Sequence, residues 1–169
     1  MNDIIKNIIT RRSIRKYKSE QIKLEELETI LLAGSYAPSG VNMQSWKFTA
    51  IQNKEVLQEV NEAIRQTILL NKDNPYYERL IEKAKDEKAN FLFNAPTYVI
   101  VSNLKDNPNS MADSALAIGN MMLAAHSLGI GSCWLNQLPR LSSYPQMREF
   151  LTKIGVPENH FVYGSFTLG

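Results

Sequence analysis

The sequence predicts one α+β domain across residues 1–169. Three observations carry that reading. Apolar residues recur with helical spacing in several segments between Asp3 and Ile154. β-rich runs at Trp46–Gln52 and Thr97–Ser102 fall between those segments, and a third, Phe161–Leu168, follows the last of them. The two kinds alternate without the regular βαβ rhythm of a doubly wound sheet. Gly129-Ile130-Gly131 does not rescue a dinucleotide-binding fold: the sixth position is Trp134, and the motif follows a helix and enters a strand.

In order, Asp3–Thr10 reads as a short helix capped by Asp3, with Ile4, Ile5, Ile8 and Ile9 on one face. Leu24–Gly34 is a second helix, with Leu24, Leu27, Ile30 and Leu31 on its apolar side. It delivers the chain to a turn-rich loop at Pro38, and Trp46–Gln52 follows as a strand. Lys54–Leu70 is helical through Val56, Leu57, Val60, Ile64 and Ile68. Tyr76–Phe93 is charged and reads as a more exposed helix. Thr97–Ser102 is a continuous apolar run, the mark of an interior strand. Met111–Leu128, capped by Ser110, is apolar nearly all round and is expected to be buried. Its small residues Ala115, Ala117, Gly119, Ala124 and Ala125 permit a close helix neighbour, which a partner subunit could supply. Tyr144–Ile154 is a last amphipathic helix, stopped by Gly155 and Pro157.

Hydrophobic residues make up 44% and charged residues 21%, an ordinary soluble composition, and the formal net charge of +2 gives no basic stripe for nucleic acid. The single cysteine, Cys133, excludes an intrachain disulfide and points to a reducing, cytoplasmic setting. The polar Met-Asn-Asp start does not read as a signal peptide, and no run approaches the ~20 apolar residues of a membrane span. Cys133, His126 and His160 lack metal-ligand spacing, so no metal is expected. No Gly-x-Ser-x-Gly elbow is present, and Cys133 sits in an apolar context where a thiol is usually inert.

Two stretches carry chemistry. Arg11-Arg12-Ser13-Ile14-Arg15 puts three guanidiniums and a hydroxyl where the first helix ends. One cation there can satisfy the last carbonyls and the helix dipole. Three with a serine between them look like a site for phosphate, because the guanidinium fork matches its oxygens. Ala37-Pro38-Ser39-Gly40-Val41-Asn42-Met43-Gln44-Ser45-Trp46 offers two amides, Asn42 and Gln44, which an extended segment would turn to one side. They can read the edge of a heterocycle, or simply cap loop backbone.

Together these stretches resemble the nitroreductase family, whose members carry an Arg-(Arg/His)-Ser-x-(Arg/Lys) motif after a short first helix. Further on they carry an Ala-Pro-Ser-x-x-Asn-x-Gln-Pro-Trp loop; here Ser45 replaces the usual proline. Asp113–Leu128 with Asn120 resembles the family's central helix, and Leu128–Leu135 the loop and strand after it. The resemblance implies a mainly antiparallel sheet flanked by helices, in a homodimer with two flavin mononucleotide (FMN) sites at the interface. It implies that Arg11, Arg12, Ser13 and Arg15 hold the phosphate and ribityl end. Pro38, Ser39, Gly40, Asn42 and Gln44 would lie near the ring. The Trp134, Asn136 and Gln137 segment would lie along one ring face, unless Trp134 is simply a core aromatic. Arg15, or else Arg12, is the candidate to stabilise charge on the reduced flavin, which would pass hydride from NAD(P)H through its N5 to a small-molecule acceptor such as a nitroaromatic or quinone, by a ping-pong mechanism.

The same resemblance leaves other outcomes open. The chain could bind or sense flavin without efficient turnover, or act on flavin itself or on a halogenated aromatic. Tyr76 and Tyr77 fall in the variable part that often covers the family's site, and either line that cover or are surface tyrosines. Family members usually bring a Lys or Arg back to the phosphate on a tail after the last strand. This sequence stops at Leu168-Gly169, so either the N-terminal arginines hold the phosphate alone or the sequence is truncated.

Overall fold

A computed structural model describes all residues from Met1 to Gly169. The chain runs α1 (Asp3–Thr10), α2 (Leu24–Ser35), β1 (Lys47–Ile51), α3 (Lys54–Leu70), α4 (Glu78–Lys85), β2 (Thr97–Leu104), α5 (Ser110–Ser127), β3 (Ser132–Leu135), α6 (Gln137–Leu141), α7 (Pro145–Lys153) and β4 (His160–Leu168). One sheet in the order β1-β2-β4-β3 is antiparallel at every pairing. The predicted α+β class and mainly antiparallel sheet are what the molecule has.

The central strand β2 is buried on both sides, which explains its unbroken apolar run. Tyr98 and Ile100 face one core with Val60, Ile64 and Ile68 of α3, Leu138 and Leu141 of α6, and Met147 and Leu151 of α7. Val99 and Val101 face a second core with Leu27 and Ile30 of α2 and Ala117, Ile118, Met121 and Ala125 of α5. Helices therefore cover both sides. In β4 the register skips Tyr163 between Val162 and Gly164. That extra residue flips the alternation, so Val162 joins the first core while Phe166 and Leu168 join the second. A Cβ at Gly164 would force Ile118 Cδ1 to move and would sit 3.1 Å from the Trp134 ring.

Several local expectations are corrected. Asn2, not Asp3, caps α1, its side chain accepting from the Ile5 N–H at 2.9 Å. Ser110 does not cap α5; its hydroxyl donates to the Leu104 carbonyl at 2.7 Å, and Asn109 holds the cap position. The helix expected over Tyr76–Phe93 ends at Lys85. The remainder is tied inward as a loop, with Phe91 N donating to Asn61 Oδ1 at 2.7 Å and Lys83 Nζ lying 4.6 Å over the Phe91 ring. The α5 helix is not buried all round. Asp113, Ser114, Ala117, Ile118, Met121, Met122 and Ala125 face inward, whereas Met111, Ala112, Ala115 and Leu116 are exposed, and Gly119 has open space beside it. The apolar face of α1 is likewise uncovered: Ile4, Ile5, Ile8 and Ile9 are all exposed.

At the far end of β4, His160 is 9% exposed and its Nδ1 pairs with the Ser102 hydroxyl at 3.2 Å. Burial holds its pKa below the ordinary 6.5, and the nearby Lys47 and Arg148 cations push the same way. The unfolded chain therefore binds the proton first as pH falls, and native stability drops below about pH 6.5. Denaturant titrations between pH 7 and pH 5 should show that loss, with a slope of at most ~1.4 kcal/mol per pH unit from this one proton. His160→Asn should flatten it; an unchanged slope would clear His160 of the effect.

Candidate functional site

After α1 the chain does not splay away. Ile14 N donates to Ser132 O at 2.9 Å, and Ser13 makes a parallel bridge to Ser132, so the arginine segment lies along the free edge of β3. Next to this bridge Gly131 and Gly169 exchange backbone hydrogen bonds of 2.8 and 3.1 Å. A Cβ at Gly131 would meet Ile14 and the Gly169 carbonyl at 3.0 Å, so a side chain there would crowd the close approach. Tyr17 closes the segment from behind, its hydroxyl 2.6 Å from the Ile14 carbonyl oxygen and 2.7 Å from Thr167 Oγ1. Burial pushes the Tyr17 pKa up to about 12, so it stays a neutral hydrogen-bonding strut.

The three arginines have different jobs. Arg12 Nη1 donates to the carbonyls of Ile9 and Arg11 at 2.7 and 2.8 Å, so this cation closes the end of α1. Arg11 and Arg12 line a cleft of about 180 Å³ with Thr10, Ile14, His126 and Ser132. Within it Arg11 Nη1 and Ser132 Oγ are buried and have no protein partner. A guanidinium N–H and a hydroxyl left so are costly unless a ligand meets them. An anion with several oxygens fits that donor set. Ser13 contributes its backbone to the bridge, and its side chain is exposed.

Arg15 lines a second cleft, of about 430 Å³, with Tyr76, Arg79, Leu80, Phe93 and the Cys133–Gln137 segment. Trp134 is half-buried in the second core, and its indole N–H donates to Asn136 Oδ1 at 2.8 Å. It therefore serves as core aromatic and cleft wall at once. Of the two tyrosines, Tyr76 is exposed and lines this cleft, while Tyr77 is 2% exposed and packs beneath it against Tyr144. Cys133 is a buried free thiol. His126 bonds Thr10 and His160 bonds Ser102, so neither histidine activates that thiol.

The amide-bearing loop is not extended as expected. Gly40–Asn42 is a 3-10 turn, and Val41, Asn42 and Gln44 all have positive φ, at 47°, 58° and 48°. Gly40 N donates to Asp113 Oδ1 at 3.0 Å, and Gln44 N to Ser39 Oγ at 3.1 Å. Ser45, standing where the family has proline, donates to Asn103 Oδ1 at 2.7 Å and accepts from Asn107 Nδ2 at 3.1 Å. Pro38, Asn42 and Gln44 are exposed and make no side-chain bond.

One chain therefore brings Arg11, Arg12 and Ser132 together, and Arg15 with Trp134, Asn136 and Gln137. It does not bring Pro38, Ser39, Gly40, Asn42 or Gln44 to either cleft. The loop is anchored on Asp113, near the start of α5, and the arginine cleft contains His126, near its end. Those positions are about 20 Å apart along the helix. Sequence reasoning missed Ser132, Tyr17, Arg79 and Phe93, because only the pairing of Ser13 with β3 and the inward fold of the 86–94 loop reveal them.

The nitroreductase family model matches residues 8–169. A nitroreductase from Bacteroides fragilis, solved with bound FMN, superposes with a TM-score of 0.94 at 44% identity, over 100% of this chain and 88% of its own. An NADH dehydrogenase/NAD(P)H nitroreductase from Archaeoglobus fulgidus is 36% identical over 100% of this chain and 86% of its own. An iodotyrosine deiodinase from Thermotoga neapolitana is 32% identical over 72% of this chain and 67% of its own. Motifs, fold and full-length similarity agree, and the chain belongs to the nitroreductase family.

Proposed function

We propose that this protein is an FMN-dependent oxidoreductase, working as a homodimer, that passes electrons from NAD(P)H to a small organic acceptor such as a nitroaromatic or quinone. The observation that carries the reading is the pair of buried, unpartnered donors, Arg11 Nη1 and Ser132 Oγ, on two residues that line one cleft. They suit the phosphate of FMN, with Ser13 at the ribityl end. Arg15 and the Trp134, Asn136 and Gln137 segment suit the ring. Bound FMN supplies the two-electron chemistry. The Arg15 guanidinium, free of any hydrogen-bonded carboxylate, would stabilise negative charge gained at the pyrimidine edge. Arg12 is committed to α1, which favours Arg15 for that role.

The ~20 Å between loop and arginines is the argument for two copies. A site that uses both must take the Pro38–Gln44 loop from the second molecule, and the uncovered faces of α1 and α5 offer the surface for that exchange. The deiodinase relative supports reductive dehalogenation as a second reading; iodide release from an iodophenol without nitro or quinone reduction would favour it.

Arg11→Ala should weaken FMN binding at least ~10-fold, since one desolvated charge-assisted bond contributes about 1.5–3 kcal/mol. Arg12→Ala should instead lower thermal stability; FMN fluorescence titrations that rank the two variants the other way would reverse these roles. Light scattering of the FMN-loaded protein at micromolar concentration should give a dimer mass, and a monomer retaining FMN would refute the shared site. Initial rates against NAD(P)H at several fixed acceptor concentrations should give parallel double-reciprocal lines, whereas intersecting lines would mean that donor and acceptor bind together.

A further inference from the structure

The chain has seven arginines, and they sort by whether their guanidinium is occupied. Arg12 bonds helix carbonyls, Arg65 bonds Glu62 at 2.8 Å, and Arg148 bonds the carbonyls of His160 and Val156. Arg11 is accounted for by the phosphate cleft. Arg15, Arg79 and Arg140 remain: Arg15 and Arg79 line the second cleft, and Arg140 stacks on Tyr76, one of its lining residues. None of them reaches a carboxylate: the ion pairs of the molecule are Arg65–Glu62, Lys85–Glu82 and Lys153–Glu59. Arg15 and Arg79 are among ten lining residues that include no aspartate or glutamate.

Arg140, at the end of α6, is paired with an aromatic side chain of the cleft. Arg140 stacks on Tyr76, its Cζ 3.7 Å from the ring centroid. Tyr77 meets Tyr76 edge-on at 5.4 Å, and its hydroxyl donates to the Arg140 carbonyl at 3.4 Å. The stack holds the guanidinium plane over the ring and leaves its N–H edges free. Leu80, Phe93, Trp134 and Leu135 supply low-dielectric walls that concentrate the positive field on the cleft.

We infer that the electron acceptor is a planar aromatic bearing an anionic substituent, a carboxylate above all, with its ring against Tyr76 and Phe93 and its charge met by Arg79 and Arg140. The inference rests on the proposed function and narrows it, because an uncharged nitroaromatic or quinone would leave both guanidiniums unused. The same cations could instead meet a phosphate of the nicotinamide donor, so the test separates the two sources.

The first arm needs no turnover. Benzoate and benzamide are titrated into the oxidised, FMN-loaded protein without NAD(P)H and followed by the flavin absorbance. Benzoate should bind about 10-fold more tightly at low salt, the preference shrinking as salt rises. The Arg79→Gln/Arg140→Gln double variant should bring the two within about 2-fold. In the second arm, kcat/KM for 4-nitrobenzoate over 4-nitrobenzamide should show the same ratio and lose it in the same variant. Equal binding of acid and amide, or a preference that survives the variant, overturns the inference. So does a variant that slows flavin reduction by NADPH while keeping the acceptor ratio, which would assign the arginines to the donor's phosphates. Failure of NAD(P)H to bleach the flavin at all would sink the proposed function, while the benzoate titration still reads the anionic subsite.

Discussion

The 2.9 Å hydrogen bond from Ile14 N to Ser132 O decides where the arginines go. The α1 helix is short and buries none of its residues, so it cannot orient the arginine segment by itself. The bridge does so by docking the segment on the open edge of β3. The docking also covers part of a strand edge that would otherwise offer free N–H and C=O groups. Once Ser13 is in register with Ser132, Arg11 lies at one cleft and Arg15 at the other. The approach is close enough that a side chain at Gly131 would crowd Ile14 and the Gly169 carbonyl, and Tyr17 and Thr167 brace it from the sheet side. Charge-bearing side chains are thus positioned by backbone pairing, which is less adaptable than side-chain contact and better suited to holding a cofactor in one pose.

The second constraint is the length of α5. Its N-terminal end holds the strained loop through Asp113 and Gly40, while His126 near its other end bonds Thr10 of α1. Left-handed backbone at Val41, Asn42 and Gln44 costs of order 1–3 kcal/mol at a residue. Val41, β-branched, is the least suited to it. The strain persists because Gly40, Ser39 and the Ser45–Asn103–Asn107 network leave the loop few alternatives. Under the proposed assembly, a loop so fixed, with Asn42 and Gln44 turned to solvent, would make its contact with the second copy.

The longer elements were legible from residue spacing, and α3 matches its expected span of Lys54–Leu70, whereas β3 was legible only through the family resemblance and the five-residue α6 was not read. Periodicity reports an apolar face, which α2, α3, α5 and α7 bury within the chain and α1 leaves exposed. Failures cluster where a local rule competed with a distant partner. Asn2 took the cap because its side chain reaches Ile5 N–H, which the choice between neighbouring Asn and Asp does not disclose. The 86–94 loop reads as helix, yet Asn61 and Lys83 pull it inward around Phe91. An extended reading of the amide loop failed because three residues adopt positive φ without being glycine, and composition gives no warning of that. For the candidate site, the motifs pointed to Arg11, Arg15 and Trp134, which line the two clefts, but not to Arg12 being spent on α1 or to Ser132 sharing a cleft with Arg11.

The unsatisfied surface of the single chain is not scattered. The exposed isoleucines of α1, the open side of α5 and the strained loop are apolar or pre-shaped surface with no covering of their own. Fully burying one such side chain is worth about 1.5–3 kcal/mol. Covering even part of four isoleucines would therefore add several kcal/mol to a fold whose whole margin is of order 5–15 kcal/mol. Under the proposed assembly the same contacts would complete each cofactor site. Binding of FMN and association of the chains would then draw on one set of interactions, each raising the apparent affinity of the other by mass action. That coupling gives a physical reason for a short first helix that buries nothing: its value to the molecule would lie in the surface it offers to a second copy and in the arginine segment it delivers to β3.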